Sequence, residues 1–246
     1  MYYKIIVLII VTPVLGGVFN VAEEDSELKS VIVLYRHGDR APTKLYPKDP
    51  YNNASLYWPE GLGELTNVGL QHQFELGKWL RKRYSNFLPE TFSPNNIYVQ
   101  STDKDRTLMS AAVNLAGLYP PTNTEVWNKN IVWRPIPIHT VPEGDDAVLA
   151  MKKACPKYDL LYEELLNSTF FRIVDEKNRQ LYEYLSEKTG WNITTIRQIE
   201  TIYSTLLIEQ QYNLTLPPWT IGIFPKKAGI SDGPEPRNLF IYQPIS

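Results

Sequence analysis

Val31–Tyr35 is a run of five apolar residues that stops abruptly at Arg36-His37-Gly38-Asp39-Arg40, with Pro42 just beyond. This break limits the fold more than any other feature of the chain. β-Branched residues at three of the five positions read as a strand buried on both faces, the habit of a parallel sheet. The charge that ends it must therefore sit at the strand's carboxyl end, outside the core. Ile97-Tyr98-Val99 repeats the pattern and runs into a second charged loop, Asp103-Lys104-Asp105-Arg106.

The segments between these strands complete the architecture. Asp49–Gly63, rich in Pro, Asn, Tyr and Gly, reads as a loop. A helix starts after Thr66, with Leu70, Phe74, Gly77 and Leu80 on one stripe and Arg81-Lys82-Arg83 at the end favoured by the helix dipole. "STDKDR" supplies capping residues for another helix, whose apolar face carries Leu108, Ala112, Leu115 and Ala116. Prolines 135, 137 and 142 keep the next stretch extended. Tyr158–Gln211 turns helical, with Gly190 as an internal stop. Strand, helix, strand, helix and then a helical block predict an α/β fold, a mostly parallel central sheet flanked by helices with a smaller helical annex at about 143–216. Beyond Trp219 the scattered Gly and Pro show no period, and 220–246 read as a tail outside the core.

In an open α/β sheet the carboxyl ends of parallel strands border the ligand crevice. Arg36, Arg40 and Arg106 would converge there, and three guanidiniums match the oxygens of a phosphoryl group with bidentate geometry. Arg106 also falls near a helix N-terminus, which favours an anion, although pairing with Asp103 is the plainer role for it. His37 lies between two arginines, whose charge opposes its protonation. If one ring nitrogen donates to a nearby carbonyl, the other keeps a lone pair able to attack phosphorus. Gly38 lets the backbone come close enough to offer that carbonyl.

"RHGDRAP" resembles the signature of the histidine acid phosphatases, the branch with the prostatic, lysosomal and insect venom enzymes. "WPEGLGELTNVGLQHQFELGKWLRKRY", "STDKDRTLMSAAVNLAGLYPP", "VWNKNIVWRPIPIHTVP" and "YNLTLPPW" resemble the same family, in order, over about 25–219. The resemblance implies a phosphoglycerate mutase-like fold and hydrolysis of phosphate monoesters through a phosphohistidine. His37 would be the nucleophile, Arg36, Arg40 and Arg106 the phosphate ligands, and Gly38 and Asp39 supporting loop residues. It implies no cofactor and no metal, and the other histidines lie far apart in sequence. His72, on the predicted helix, reads as structural. Trp133 and His139 match positions the family uses at a homodimer interface, with plain packing an equal reading.

The family also uses a late His-Asp pair to protonate the leaving alcohol. Here the three histidines precede Gly38, Gln73 and Thr140, so no such pair occurs. Cys155, the single cysteine, resembles a family cysteine that bridges to a partner near the C-terminus. Both features lead to the expectation of a chain short of its general-acid element and its last strands. A noncatalytic secreted protein that binds phosphorylated ligands fits the same observations. So does a phytase-like enzyme of the superfamily, its substrate chosen by the loop around Pro47–Trp58 and the annex.

The N-terminus and the sequons lead to the expectation of a protein outside the cytosol. The stretch from Ile5 to about Phe19 is shorter than the roughly 20 residues a bilayer needs, is interrupted by Pro13, and precedes Gly16-Gly17. It reads as a signal peptide over about 1–20, cleaved around 16–22, leaving a phosphatase domain over 21–219 with no membrane anchor. Sequons at Asn53, Asn167, Asn192 and Asn213 agree with a glycosylated secreted or lysosomal protein. With a net charge of −2 and no long basic run, a nucleic-acid partner is disfavoured.

Overall fold

The computed structural model describes residues 28–224 and the backbone of 5–8. Its strands are β1 (Ile5–Leu8), β2 (Val31–Leu34) and β3 (Ile97–Val99). Its α-helices are α1 (Ala54–Tyr57), α2 (Asn67–Arg83), α3 (Asp105–Leu118), α4 (Pro156–Leu166), α5 (Thr169–Lys177), α6 (Arg179–Thr189) and α7 (Ile196–Gln211). The chain divides into two compact units. One takes the residues up to Arg40 with Glu64–Ala154, and the other takes Ala41–Gly63 with Cys155 onward.

The first unit holds a three-stranded parallel sheet in the order β2-β1-β3. Ile5 pairs with Val31 on one side and with Ile97 on the other. Of the N-terminal stretch read as a signal peptide, only these four backbone positions are described, and the expected cleavage region at 16–22 lies outside the described residues. Val31, Tyr35, Ile97 and Val99 pack on Leu80 of α2 and on Ala111, Leu115 and Leu118 of α3. Burying each large aliphatic side chain there contributes about 1.5–3 kcal/mol.

β2 corrects the expectation of a strand buried on both faces. Val31 is buried, but Ile32 is 64% and Leu34 43% exposed. The core cluster engages one face only, so the alternate side chains of an uninterrupted apolar run face outward. The extended stretch after α3 adds a single parallel bridge beside the end of β3, with His139 N–H donating to Val99 O and Ser101 N–H to His139 O, both at 2.9 Å.

α2 buries a different stripe from the apolar one. Gly69, Gln73, Gly77 and Leu80 are its buried residues, while Leu70 and Phe74 are half-buried. The reason is close approach. A Cβ on Gly77 would lie 2.0 Å from the Asn114 carbonyl oxygen, and one on Gly117 would lie 2.3 Å from that of Phe74. Small residues let α2 and α3 touch backbone to backbone. The capping expected for α3 is not made, since Lys104 occupies the cap position with no side-chain cap bond.

The second unit is helical. Tyr46, Tyr182, Leu185, Ile193, Ile199, Ile202 and Leu206 form its main core, and Ala41, Trp58 and Ile208 a smaller one. Gly190 closes α6 in the left-handed region at φ 80°. Thr220 is buried, and Ile223 and Phe224 pack on the main core, so packing continues past Trp219. The rest of the expected tail, 225–246, lies outside the described residues.

This unit also buries two acids. Glu209 is 0% and Asp49 2% exposed. Asp49 Oδ1 accepts from the Tyr51 N–H at 2.7 Å, whereas Asp49 Oδ2 and both Glu209 oxygens face no donor. The two carboxyls act on each other, and a hydrogen bond between them requires a proton. Burial first, then the charge and hydrogen bond of Asp49, push Glu209 up to about 9.

Candidate active site

The charged loop after β2 is fixed by backbone contacts from both helices of its unit. Arg40 bridges antiparallel to Leu65. Asp39 O accepts from the Thr66 N–H and from Thr66 Oγ1, each at 3.0 Å. Thr66 is also the N-cap of α2, its hydroxyl accepting from the Gly69 N–H. One turn on, Gln73 Nε2 donates to Arg36 O at 3.0 Å. From α3, Ser110 Oγ accepts from the buried Gly38 N–H at 3.1 Å and donates to Arg106 O at 2.6 Å.

Gly38 and Gly69 make this docking possible. A Cβ on Gly38 would sit 2.4 Å from Gly69 O, and one on Gly69 would sit 2.2 Å from Asp39 O. The loop's glycine is thus required by contact with the backbone of α2, a different reason from freeing a carbonyl.

The carbonyl is nonetheless supplied. His37 Nδ1 lies 2.7 Å from Gly38 O. A carbonyl can only accept, so Nδ1 carries the proton and Nε2 of the neutral ring keeps its lone pair. Neutrality is enforced by the surroundings. Burial, then the charges of Arg36, Arg106 and Arg40, push the imidazole down to about 4, against the opposing hydrogen bond to Gly38. Burial is the larger cause, ahead of the flanking charge on which the sequence argument rested.

The three guanidiniums act on one another as well as on His37. Burial, then Arg36 and Arg106, lower the Arg40 pKa, as expected when like charges are held together. Arg106 occupies the first turn of α3, and its Nε is buried with no hydrogen-bond partner among the described residues. A donor in that position suits an incoming anion at a helix N-terminus. The structure therefore brings Arg36, His37, Gly38, Asp39, Arg40 and Arg106 into one unit around one loop.

His72, read from sequence as structural, places Nδ1 2.6 Å from Asp39 Oδ2. Ser110 and Gln73 escaped the sequence reading. A serine and a glutamine inside helices carry no signal until the facing backbone is known. Trp133 and His139 are exposed, and His139 stacks on Tyr98 at 4.8 Å between ring centroids. Cys155 is an exposed free thiol. Asn53, Asn167, Asn192 and Asn213 are all exposed. Among the described residues no group of three or more His, Cys, Asp or Glu side chains is arranged to hold a metal.

A family model, the histidine phosphatase superfamily (branch 2), matches residues 27–213. Lysosomal acid phosphatase of Rattus norvegicus is 45% identical over 193 residues, 78% of this chain and 45% of that protein. Prostatic acid phosphatase of Bos taurus is 41% identical over 195 residues, 78% of this chain and 50% of that protein. The chain thus spans about half the length of the curated relatives it matches. Among solved structures, the phytase from Citrobacter braakii superposes with a TM-score of 0.49 at 18% identity, covering 72% of this chain and 51% of that one.

Proposed function

Because the chain belongs to branch 2 of the histidine phosphatase superfamily, we propose that it cleaves phosphate monoesters by transferring the phosphoryl group to His37. The carrying observation is the 2.7 Å contact from Nδ1 to the Gly38 carbonyl, which puts the proton of the neutral ring on Nδ1 and its lone pair on Nε2. In the first step Nε2 bonds to phosphorus as the ester P–O bond breaks, and the alcohol oxygen leaves with the bonding pair. In the second step water displaces the imidazole, releasing inorganic phosphate and restoring the neutral ring. Arg36, Arg40 and Arg106 neutralise the charge on the transferring oxygens, the dominant contribution in phosphoryl transfer.

The test is rapid quenching with a phosphate-labelled substrate. Incorporation that is acid-labile and alkali-stable, and absent from a His37→Ala variant, is expected. Equal labelling of that variant would remove His37 from the mechanism.

A second reading is a protein that binds phosphorylated ligands without efficient turnover. It is favoured by the sequence itself, in which no histidine is followed by aspartate. General acid assistance is worth about 10²–10⁴-fold, most for a poor leaving group. The two readings separate on leaving group: a nitrophenyl phosphate is hydrolysed under the first, while neither it nor an alkyl phosphate is under the second.

Export to a secretory or lysosomal compartment accompanies this proposal. The N-terminal apolar stretch and four exposed sequon asparagines support it, as do relatives named lysosomal and prostatic. No helix among the described residues is long and apolar enough to cross a membrane. A homodimer through the face carrying exposed Trp133 and His139 belongs to the same proposal, and sedimentation of a Trp133→Glu variant tests it.

A further inference from the structure

The loop's backbone is held at Arg36, Gly38, Asp39 and Arg40, yet none of these clamps fixes the Asp39 side chain. That side chain is a carboxylate in a five-residue segment with two arginines, and it is 32% exposed. Turned toward Arg36, Arg40 or Arg106 it would occupy the guanidiniums that an anionic substrate needs. It is held from α2, by His72 Nδ1 at 2.6 Å. His72 stands one turn beyond Gly69, where the backbones of loop and helix touch, so its ring reaches the carboxylate without moving the backbone. The Nδ1–H donates whether or not Nε2 also carries a proton, so the restraint survives in either charge state.

We propose that His72 is a positioning residue for anion binding: it ties the Asp39 carboxylate to α2 and so keeps it from competing for the arginines of the phosphate loop. The inference rests on the reading of that loop as a phosphate site. His72 touches no reacting atom. It acts through Asp39, and its effect falls on binding and not on chemistry.

Inorganic phosphate titrated into the full chain at low ionic strength provides the test. His72→Ala is expected to weaken binding about two- to fivefold, the range an exposed charged pair spans. His72→Asn, whose side-chain N–H stands close to where Nδ1 stood, is expected to keep most of the affinity. Adding Asp39→Asn to His72→Ala removes the competing charge and is expected to restore binding, which a merely structural role for His72 would not do. At saturating labelled substrate the quenched phosphohistidine level is expected to be unchanged by His72→Ala. Wild-type affinity in His72→Ala, or a loss that neither Asp39→Asn nor His72→Asn repairs, would overturn the inference while leaving the phosphate site standing. A wild-type chain that takes up no phosphate would overturn the functional reading and the inference with it.

Discussion

Glu209→Gln tests whether the second unit carries a proton in its core. In the wild type the carboxyls of Glu209 and Asp49 hydrogen-bond only if one is protonated, because three of their four oxygens meet no donor. An unfolded glutamate gives up its proton near 4.3, whereas the folded one holds it to about 9. Between those values the native state binds one proton more than the unfolded state, so stability falls as pH rises. The slope is about 1.4 kcal/mol per pH unit for one full proton, or about 3 kcal/mol between pH 5.5 and 7.5. For a chain of this size that corresponds to a fall of about 5–10 °C in Tm.

Glutamine keeps the shape and donates an N–H to Asp49 without needing a proton. The expected result is a flatter dependence of Tm on pH, with the variant more stable than the wild type above neutrality and no better near pH 4.5. Circular dichroism melts from pH 4.5 to 8.5 measure it. His37 contributes with opposite sign. Its folded pKa is depressed to about 4, so its contribution is present above about 6.5 and is lost as pH falls through 4. Both chains keep His37, and comparing them cancels that contribution. Asp49→Asn supplies an independent donor should the first variant misfold. Parallel pH profiles for the wild type and both variants would refute the shared proton.

Two further outcomes follow from buried contacts in the first unit. Gly69→Ala places a Cβ 2.2 Å from Asp39 O, so the loop must move off α2; phosphohistidine labelling is expected to fall at least tenfold, with about 1–3 kcal/mol lost in urea unfolding. Asp146 is buried, yet backbone N–H groups of Leu149, Val148 and Ala150 hold its carboxyl below the usual range. Asp146→Ala is expected to cost about 2–3 kcal/mol at neutral pH, where the carboxylate accepts these bonds. The gap to wild type should shrink as pH falls through the depressed pKa, and urea titrations at pH 7 and pH 3 measure both ends.

The strand ends and the charged loop after β2 were legible because an apolar run that stops at an Arg-His-Gly-Asp-Arg cluster has few physical explanations. Helix α2 was legible in extent but not in facing. Its buried stripe runs through Gly69, Gln73 and Gly77, residues that score as neutral or polar, because the partner surface is backbone and not side chain. The outward face of β2 was misread for the complementary reason: Ile32 and Leu34 look buried in any count of apolar residues, and only the placement of the helices shows otherwise. The Asp49–Glu209 pair left no trace. An aspartate in a Pro- and Asn-rich loop and a glutamate in a helix both read as solvated, and nothing local brings together positions 160 residues apart.

The proposed chemistry divides along similar lines. The backbone clamps described above on residues 36–40 come from positions between Leu65 and Ser110. The His37 tautomer, its neutrality and the arginine charge are therefore set within one unit, by the loop after β2 and the first two turns of two helices. Proton delivery to a leaving alcohol has no counterpart among these contacts. Phosphate affinity and phosphohistidine formation from an activated ester should accordingly follow His37, the arginines and their clamps. Turnover of an alkyl ester depends on a proton donor that none of these groups provides, so the two activities should respond to different substitutions.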